Sequence, residues 1–427
     1  MLAMLVVLVI FVVAYVFIIT EWINKMTIAL LGGFLVVACH ILTADKAYSY
    51  VDWNVIFLLI GMMIIMGVLR DTGVFQYIAI KTSKLAKGSP IRILLFMFVV
   101  TAVISAFLDN VTTVMIIVPV NILIATELGI SPVPFVVTQA VASNVGGTAT
   151  LIGDPPNIMI GSATHLTFLD FAFNLAPVIV VITLLSLVMV YFMFRKQMQV
   201  SNVLRAKLME FDTSNLITNR PLLIRVGIIL GLLIIGFVSQ ELIGVNAATL
   251  AVIASLLTLI LSNRKEVEHI MSKAVDWVSL FFFVGLFMIV GGLKETGVLD
   301  IIARFILKIT HSDMQLTSLA LIWFSGILSA VIDNVPFVAT MIPLIKSMQA
   351  SFGTASINPL WWSLALGACL GGNGTLIGAS ANIVSVGIAK KSGHPISFWT
   401  FTKHSFFLMI MSLLVSTGYV YLRYFLF

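Results

Sequence analysis

Charge is scarce in this chain. Only 10% of its 427 residues are Asp, Glu, Lys or Arg, where soluble domains carry about 25%. A soluble globule of this length needs far more polar surface. The shortage therefore excludes a soluble protein, a nucleic-acid-binding domain and a disordered chain. Cysteine is nearly absent as well. Cys39 and Cys369 both lie in apolar surroundings, and such a pair builds neither a disulfide framework nor a zinc set. No G-x-x-x-x-G-K followed by Ser or Thr occurs, so there is no ATP-binding segment. Energy for any work has to come from a gradient or from a partner ATPase. What is abundant is apolar: 60% of the residues are hydrophobic. The formal charge of +6 then reports which loops face the cytoplasm.

Long apolar stretches run from 2–20 to 401–426, and a helix needs about 20 such residues to cross about 30 Å of hydrocarbon. The first is longer than a signal-peptide core and is expected to be a retained span. Four stretches, 111–126, 132–145, 335–345 and 358–370, are too short to cross alone and adjoin breaks rich in Gly, Asn, Asp and Pro. Short, interrupted segments at matching places in two halves point to a transporter binding site. A basic stretch at 195–221 divides the chain. It is expected to be a cytoplasmic linker between a first membrane repeat, 1–194, and a second, 222–427.

The halves repeat. When Asp52-Trp53 is laid on Asp276-Trp277, Gly67 falls on Gly291 and Thr72-Gly73-Val74 on Thr296-Gly297-Val298. Ser105 to Val111 then falls on Ser329 to Val335, sharing S-A-x-x-D-N-V. One residue further on, Thr150 to Gly153 falls on Thr375 to Gly378, and Asn157 on Asn382. With five crossings per half, the second half is inverted. Placing the linker inside puts most of the 24 Lys and Arg residues, Lys25, Arg70 and Lys273 among them, on the cytoplasmic side, as the positive-inside rule requires. The fold expected is an all-α polytopic membrane protein. Each half carries a re-entrant hairpin, at 91–126 and 315–345, a short in-plane arm, at 72–88 and 296–310, and a broken helix. A prokaryotic plasma membrane is the expected location.

Two motifs carry chemistry. Asp109 and Asp333 lie inside apolar runs at matching positions. A charged Asp at membrane depth costs about 2.5–3.5 kcal/mol even on insertion scales, so function is the default reading. They are expected to bind the coupling H⁺ or Na⁺ with Asn110, Asn334 and Thr112; the plainer reading is that each caps the returning helix. The second motif runs from Asn144 through Thr148, Thr150 and Asp154 to Asn157, and its partner holds Asn373, Thr375 and Asn382. Glycines free the backbone and tandem prolines block a helix, so each stretch should unwind and offer oxygens to a cation. Sodium sites would then be Asp109, Asn110 and Thr150 in one half, and Asp333, Asn334 and Thr375 in the other. Asp154 matches Ala379; it either faces the cavity or caps the half-helix beginning near Asn157.

S-A-F-L-D-N-V-T-T-V together with N-V-G-G-T-A-T-L-I-G-D-P-P-N resembles the arsenite-permease/sodium–proton-antiporter (ArsB/NhaD) family of the ion transporter superfamily, and within it the permeases similar to the pink-eyed-dilution P protein. The likeness covers almost the whole chain. It implies two inverted halves, each with a scaffold part and a transport part that moves as an elevator, and a homodimer. Related divalent-anion/sodium symporters carry Ser-Asn-Thr where this chain has Asp-Asn, a departure that points away from a dicarboxylate cargo. Sodium–proton antiporters of the family have a Thr-rich run where Pro155-Pro156-Asn157 stands. The expected function is secondary active transport of a small inorganic ion, anion or metalloid coupled to H⁺ or Na⁺. The alternative is Na⁺/H⁺ exchange. A channel would need a continuous polar pore, and an intramembrane aspartyl protease would pair differing Asp motifs rather than duplicates. No cofactor other than the coupling ion is expected, nor is an enzyme.

Overall fold

The computed structural model describes residues 2–20, 22–210, 215–262, 264–353 and 357–426. Part of the expected linker, 211–214, lies outside them. The described residues are helical and contain no strand. Among the described residues, with Ala44–Ser49, Gln240–Ile243 and the surface helix Arg264–Lys273 left unnumbered, nine helices precede the linker and nine follow it. The first set is α1 (Leu2–Thr20), α2 (Lys25–Ala38), α3 (Trp53–Asp71), α4 (Val74–Leu85), α5 (Pro90–Ser105), α6 (Asn110–Glu127), α7 (Val133–Gly147), α8 (Pro155–Thr164) and α9 (Phe168–Phe194). The second is α10 (Arg220–Val238), α11 (Ala247–Leu261), α12 (Trp277–Glu295), α13 (Val298–Ile309), α14 (Met314–Ser329), α15 (Asn334–Phe352), α16 (Asn358–Gly371), α17 (Ser380–Lys391) and α18 (Phe398–Tyr421). Among the described residues, 7 helices are long and apolar enough to cross a membrane.

Local chemistry sets the same boundaries in both sets. Asp52 and Asp276 cap α3 and α12 with their side chains. After each of these helices the chain turns sharply at Gly73 (φ 79°) and Gly297 (φ 75°). That left-handed conformation suits glycine, and it explains the duplicated T-G-V. The arms α4 and α13 follow directly. Two of the stretches read as short are longer helices. α6 has 18 residues and α15 has 19, and Pro119 and Pro343 lie inside them without ending them. At 1.5 Å per residue α6 is about 27 Å long, close to the hydrocarbon thickness. The apolar stretch 335–345 ends at Lys346, yet α15 runs on, because a lysine's long stem tolerates an apolar surround.

Packing crosses between the sets in matching pairs. α2 lies against α12, and α11 against α3. The hairpin α5–α6 packs on α7, and α14–α15 on α16. The half-helices then exchange partners, with α17 against α6 and α8 against α15. α7 and α16 are buried along almost their whole length. They end in irregular backbone, and the two hairpin tips meet beside those ends.

Candidate functional site

The tips are built by capping. Asp109 stands in extended backbone ahead of α6 and accepts a hydrogen bond from the Thr112 N–H at 2.8 Å. Asp333 accepts from the Val335 N–H at 3.1 Å. Capping therefore occurs at both, and both aspartates also line the same cavity.

The unwound stretches are held to the hairpins by matching bonds. The Thr150 hydroxyl donates to the Ala106 carbonyl, and Thr375 to the Ala330 carbonyl at 2.5 Å. The Asn157 amide donates to the Thr148 and Thr150 carbonyls at 3.1 and 2.8 Å. Asn382 donates to the Gly372 and Thr375 carbonyls at 2.8 and 3.0 Å. Thr148 donates to the Asn144 carbonyl at 2.7 Å. These side chains shape the loops and stand behind the cavity wall. Pro155 and Pro156 are the first two residues of α8. They start that half-helix, where a missing N–H is harmless.

Amides connect the halves. Asn110 donates to Asn144 at 2.9 Å, and Asn144 donates to Asn373 at 2.9 Å and Asn382 at 3.1 Å. Asp154, fully buried, precedes α8 but makes no capping bond. Its carboxylate instead accepts from Asn110 at 3.3 Å and from Asn334 at 3.2 Å. One carboxylate thus joins both tips.

The cavity measures about 380 Å³. Asp109, Asn110, Thr112, Asp154, Asp333 and Asn334 line it. Asn144, Thr148, Thr150, Asn157, Asn373, Thr375 and Asn382 are not among its lining residues. Among the described residues no three His, Cys, Asp or Glu side chains gather closely enough to hold a metal ion.

Several lining residues escaped the sequence reading: Lys25, Ser380, and Asp276, which was read only as a cap. The Lys25 ammonium lies 3.4 Å from Asp333 Oδ2, 2.8 Å from Ser380 Oγ and 5.2 Å from the Phe282 ring centroid. Ser380 also donates to Asp333 at 2.5 Å. Arg70 and Lys273 line the cavity too, so its walls carry both signs of charge.

A second cavity, about 160 Å³, is lined by Asp52, Gly291 and Lys294 among others. In the sequence repeat these are the partners of Asp276, Gly67 and Arg70, which line the first. α3 therefore begins at the second cavity and ends at the first, whereas α12 runs the other way. Of these two cavities, the first is the one lined by the acidic tips and Asp154.

The comparisons agree with a transporter. An uncharacterised transporter of Mycobacterium tuberculosis is 42% identical over 97% of both chains. One from Synechocystis is 31% identical over 94% of both. The P protein of Sus scrofa is 29% identical over 95% of this chain and 58% of its own length, in line with the motif likeness. The YdaH transporter of Alcanivorax borkumensis, at 15% identity, shares the fold with a TM-score of 0.57 over 88% of this chain and 86% of that one. The family profile described as "Citrate transporter" matches residues 15–367. This integral membrane protein belongs to the citrate transporter (CitMHS) family.

Proposed function

We propose that the protein is a secondary active transporter of a small anion, driven by H⁺ or Na⁺ bound at Asp109 and Asp333. The observation that carries this reading is that both tip asparagines, Asn110 and Asn334, bond to Asp154 in one cavity that Asp109 and Asp333 also line, with Lys25, Arg70 and Lys273 in its walls. Carboxylates at membrane depth suit a cation that neutralises them, and basic side chains suit an anion. The family's description names citrate, which fits an anionic cargo. The matching second cavity, with α3 and α12 running oppositely between the two, supports inverted halves and alternating exposure. An elevator movement of the hairpins and broken helices would exchange the first cavity for the second.

Reconstitution into liposomes tests this. Under an imposed pH or Na⁺ gradient, labelled citrate or phosphate should accumulate. Asp109→Asn and Asp333→Asn should each lower that flux at least about tenfold, about 1.4 kcal/mol in a barrier. Full flux in both variants would overturn the reading. The carboxylates of Asp109, Asp154 and Asp333 in the wall of one cavity also favour a second reading, Na⁺/H⁺ exchange. That reading predicts Na⁺-driven changes of internal pH with no anion present.

A further inference from the structure

The duplication is broken at the tips in a specific way. Asn24 caps α2 and Asn246 caps α11, each through its side chain. The next residue is Lys25 in the first half and Ala247 in the second. The half-helices α8 and α17 begin with Pro155 and Ser380, preceded by Asp154 and Ala379. As a result Asp333 faces an ammonium and a hydroxyl; of the matching residues, Pro155 lines the cavity with Asp109, whereas Ala247 lies at another cavity, beside Asn54 and Leu151. Two identical D-N tips have been made chemically unequal.

Lys25 is well placed to matter. It belongs to α2, which packs on α12, whereas Asp333 caps α15 and Ser380 begins α17. Its side chain is 27% exposed and that of Asp333 10%, so the pair sits in the cavity wall rather than in bulk water. Asp109, Asp154, Asp276, Arg70 and Lys273 share the cavity. Among the described residues, Asp333 is the one acid with which Lys25 is ion-paired. A cation cannot take Asp333 while the ammonium holds the same carboxylate oxygen, because like charges repel at that distance. Once the cation is bound, Lys25 loses its partner in a cavity that also receives the anion.

We propose that Lys25 links the two cargoes, pairing with Asp333 when the coupling cation is absent and turning to the anion when that cation occupies Asp333. The inference rests on the anion-transport reading above. It makes cation and anion binding mutually favourable, and such coupling is reciprocal by thermodynamic necessity.

Anion binding to the purified full chain, in buffer free of Na⁺ and at one fixed pH, tests it without any flux. The probes are citrate and phosphate. Asp333→Asn imitates the neutralised tip and should bind at least one probe about fivefold or more tightly than wild type. Lys25→Gln should bind more weakly than wild type, Lys25→Arg should stay close to it, and Lys25→Gln with Asp333→Asn should match Lys25→Gln alone. That last equality is what a merely structural lysine would not produce. It also covers the case in which Lys25→Gln misfolds, because the double variant leaves neither charge unpaired. If Asp333→Asn binds neither probe more tightly than wild type, the proposal is overturned. The same holds if its gain survives removal of Lys25. Wild-type protein that carries anion under a gradient while failing these tests would sink only this inference. Full flux in both tip variants would sink the transport reading itself.

Discussion

A serine would cap α6 about as well as Asp109 does, since Ser, Asp and Asn rank together at that position. The cap alone therefore does not call for a charge inside an apolar run, and the two roles can be separated. Asp109→Ser should keep the bond to the Thr112 N–H and melt within about 1 kcal/mol of wild type, while gradient-driven flux falls at least about tenfold. Asp109→Ala should lose both. Equal flux in the serine variant and wild type would reduce Asp109 to a cap. Asp154 poses the complementary case. Its carboxylate accepts from two amides, and Asp154→Asn would turn an NH₂ donor toward them. Leaving a buried donor unmatched costs about 1–3 kcal/mol. A lowered melting temperature together with lost flux is the expected result, read from thermal unfolding in detergent and from liposome uptake.

At the level of elements, the glycines of the broken helices are required by close approach. A Cβ on Gly153 would lie 2.5 Å from the Gly147 carbonyl oxygen and 2.6 Å from that of Ser105. One on Gly378 would lie 2.7 Å from the Gly372 oxygen and 2.8 Å from that of Ser329. Both clashes are with backbone, so the loop must move off its hairpin. Gly153→Ala and Gly378→Ala should each cost about 1–3 kcal/mol or more. Gly227→Ala, with nothing within 4 Å, should be neutral or stabilising. Comparable melting temperatures for all three would contradict the packing described. These loops were legible in the sequence because glycine, proline and the duplicated polar residues mark irregular backbone. The role of each side chain was less legible. Thr150 and Asn157 read as cation ligands, yet they bond to nearby backbone carbonyls, a partnership that depends on how the loop folds. Lys25 read as one more cytoplasmic base. Its pairing with Asp333 spans most of the chain, and a contact that distant leaves no local pattern.

Across the whole molecule, the two cavities lie at opposite ends of one pair of helices. α3 and α12 have 19 residues each, about 28 Å at 1.5 Å per residue, and they run oppositely between the cavities. The linker identifies one of the two ends. Thr218 donates from its backbone to the Thr72 carbonyl at 3.0 Å and from its hydroxyl to the Asp71 carbonyl at 3.0 Å. The first cavity, reached by Arg70, and the linker therefore lie at the same end of α3. In the inverted arrangement proposed above, the two cavities open to opposite sides of the bilayer. Thiol labelling reads this directly. Cys39 is exposed and Cys369 buried, so a Cys39→Ser background leaves little reactive thiol. In oriented vesicles an impermeant maleimide should reach Ser279→Cys, in the first cavity, only from the linker side. It should reach Ala163→Cys, in the second, only from the other. Adding the driving gradient together with citrate should slow the first reaction and speed the second, because each cavity opens as the other closes. Labelling of both sites from one side would refute the inverted arrangement, and rates that rise together would point to a continuous pore instead.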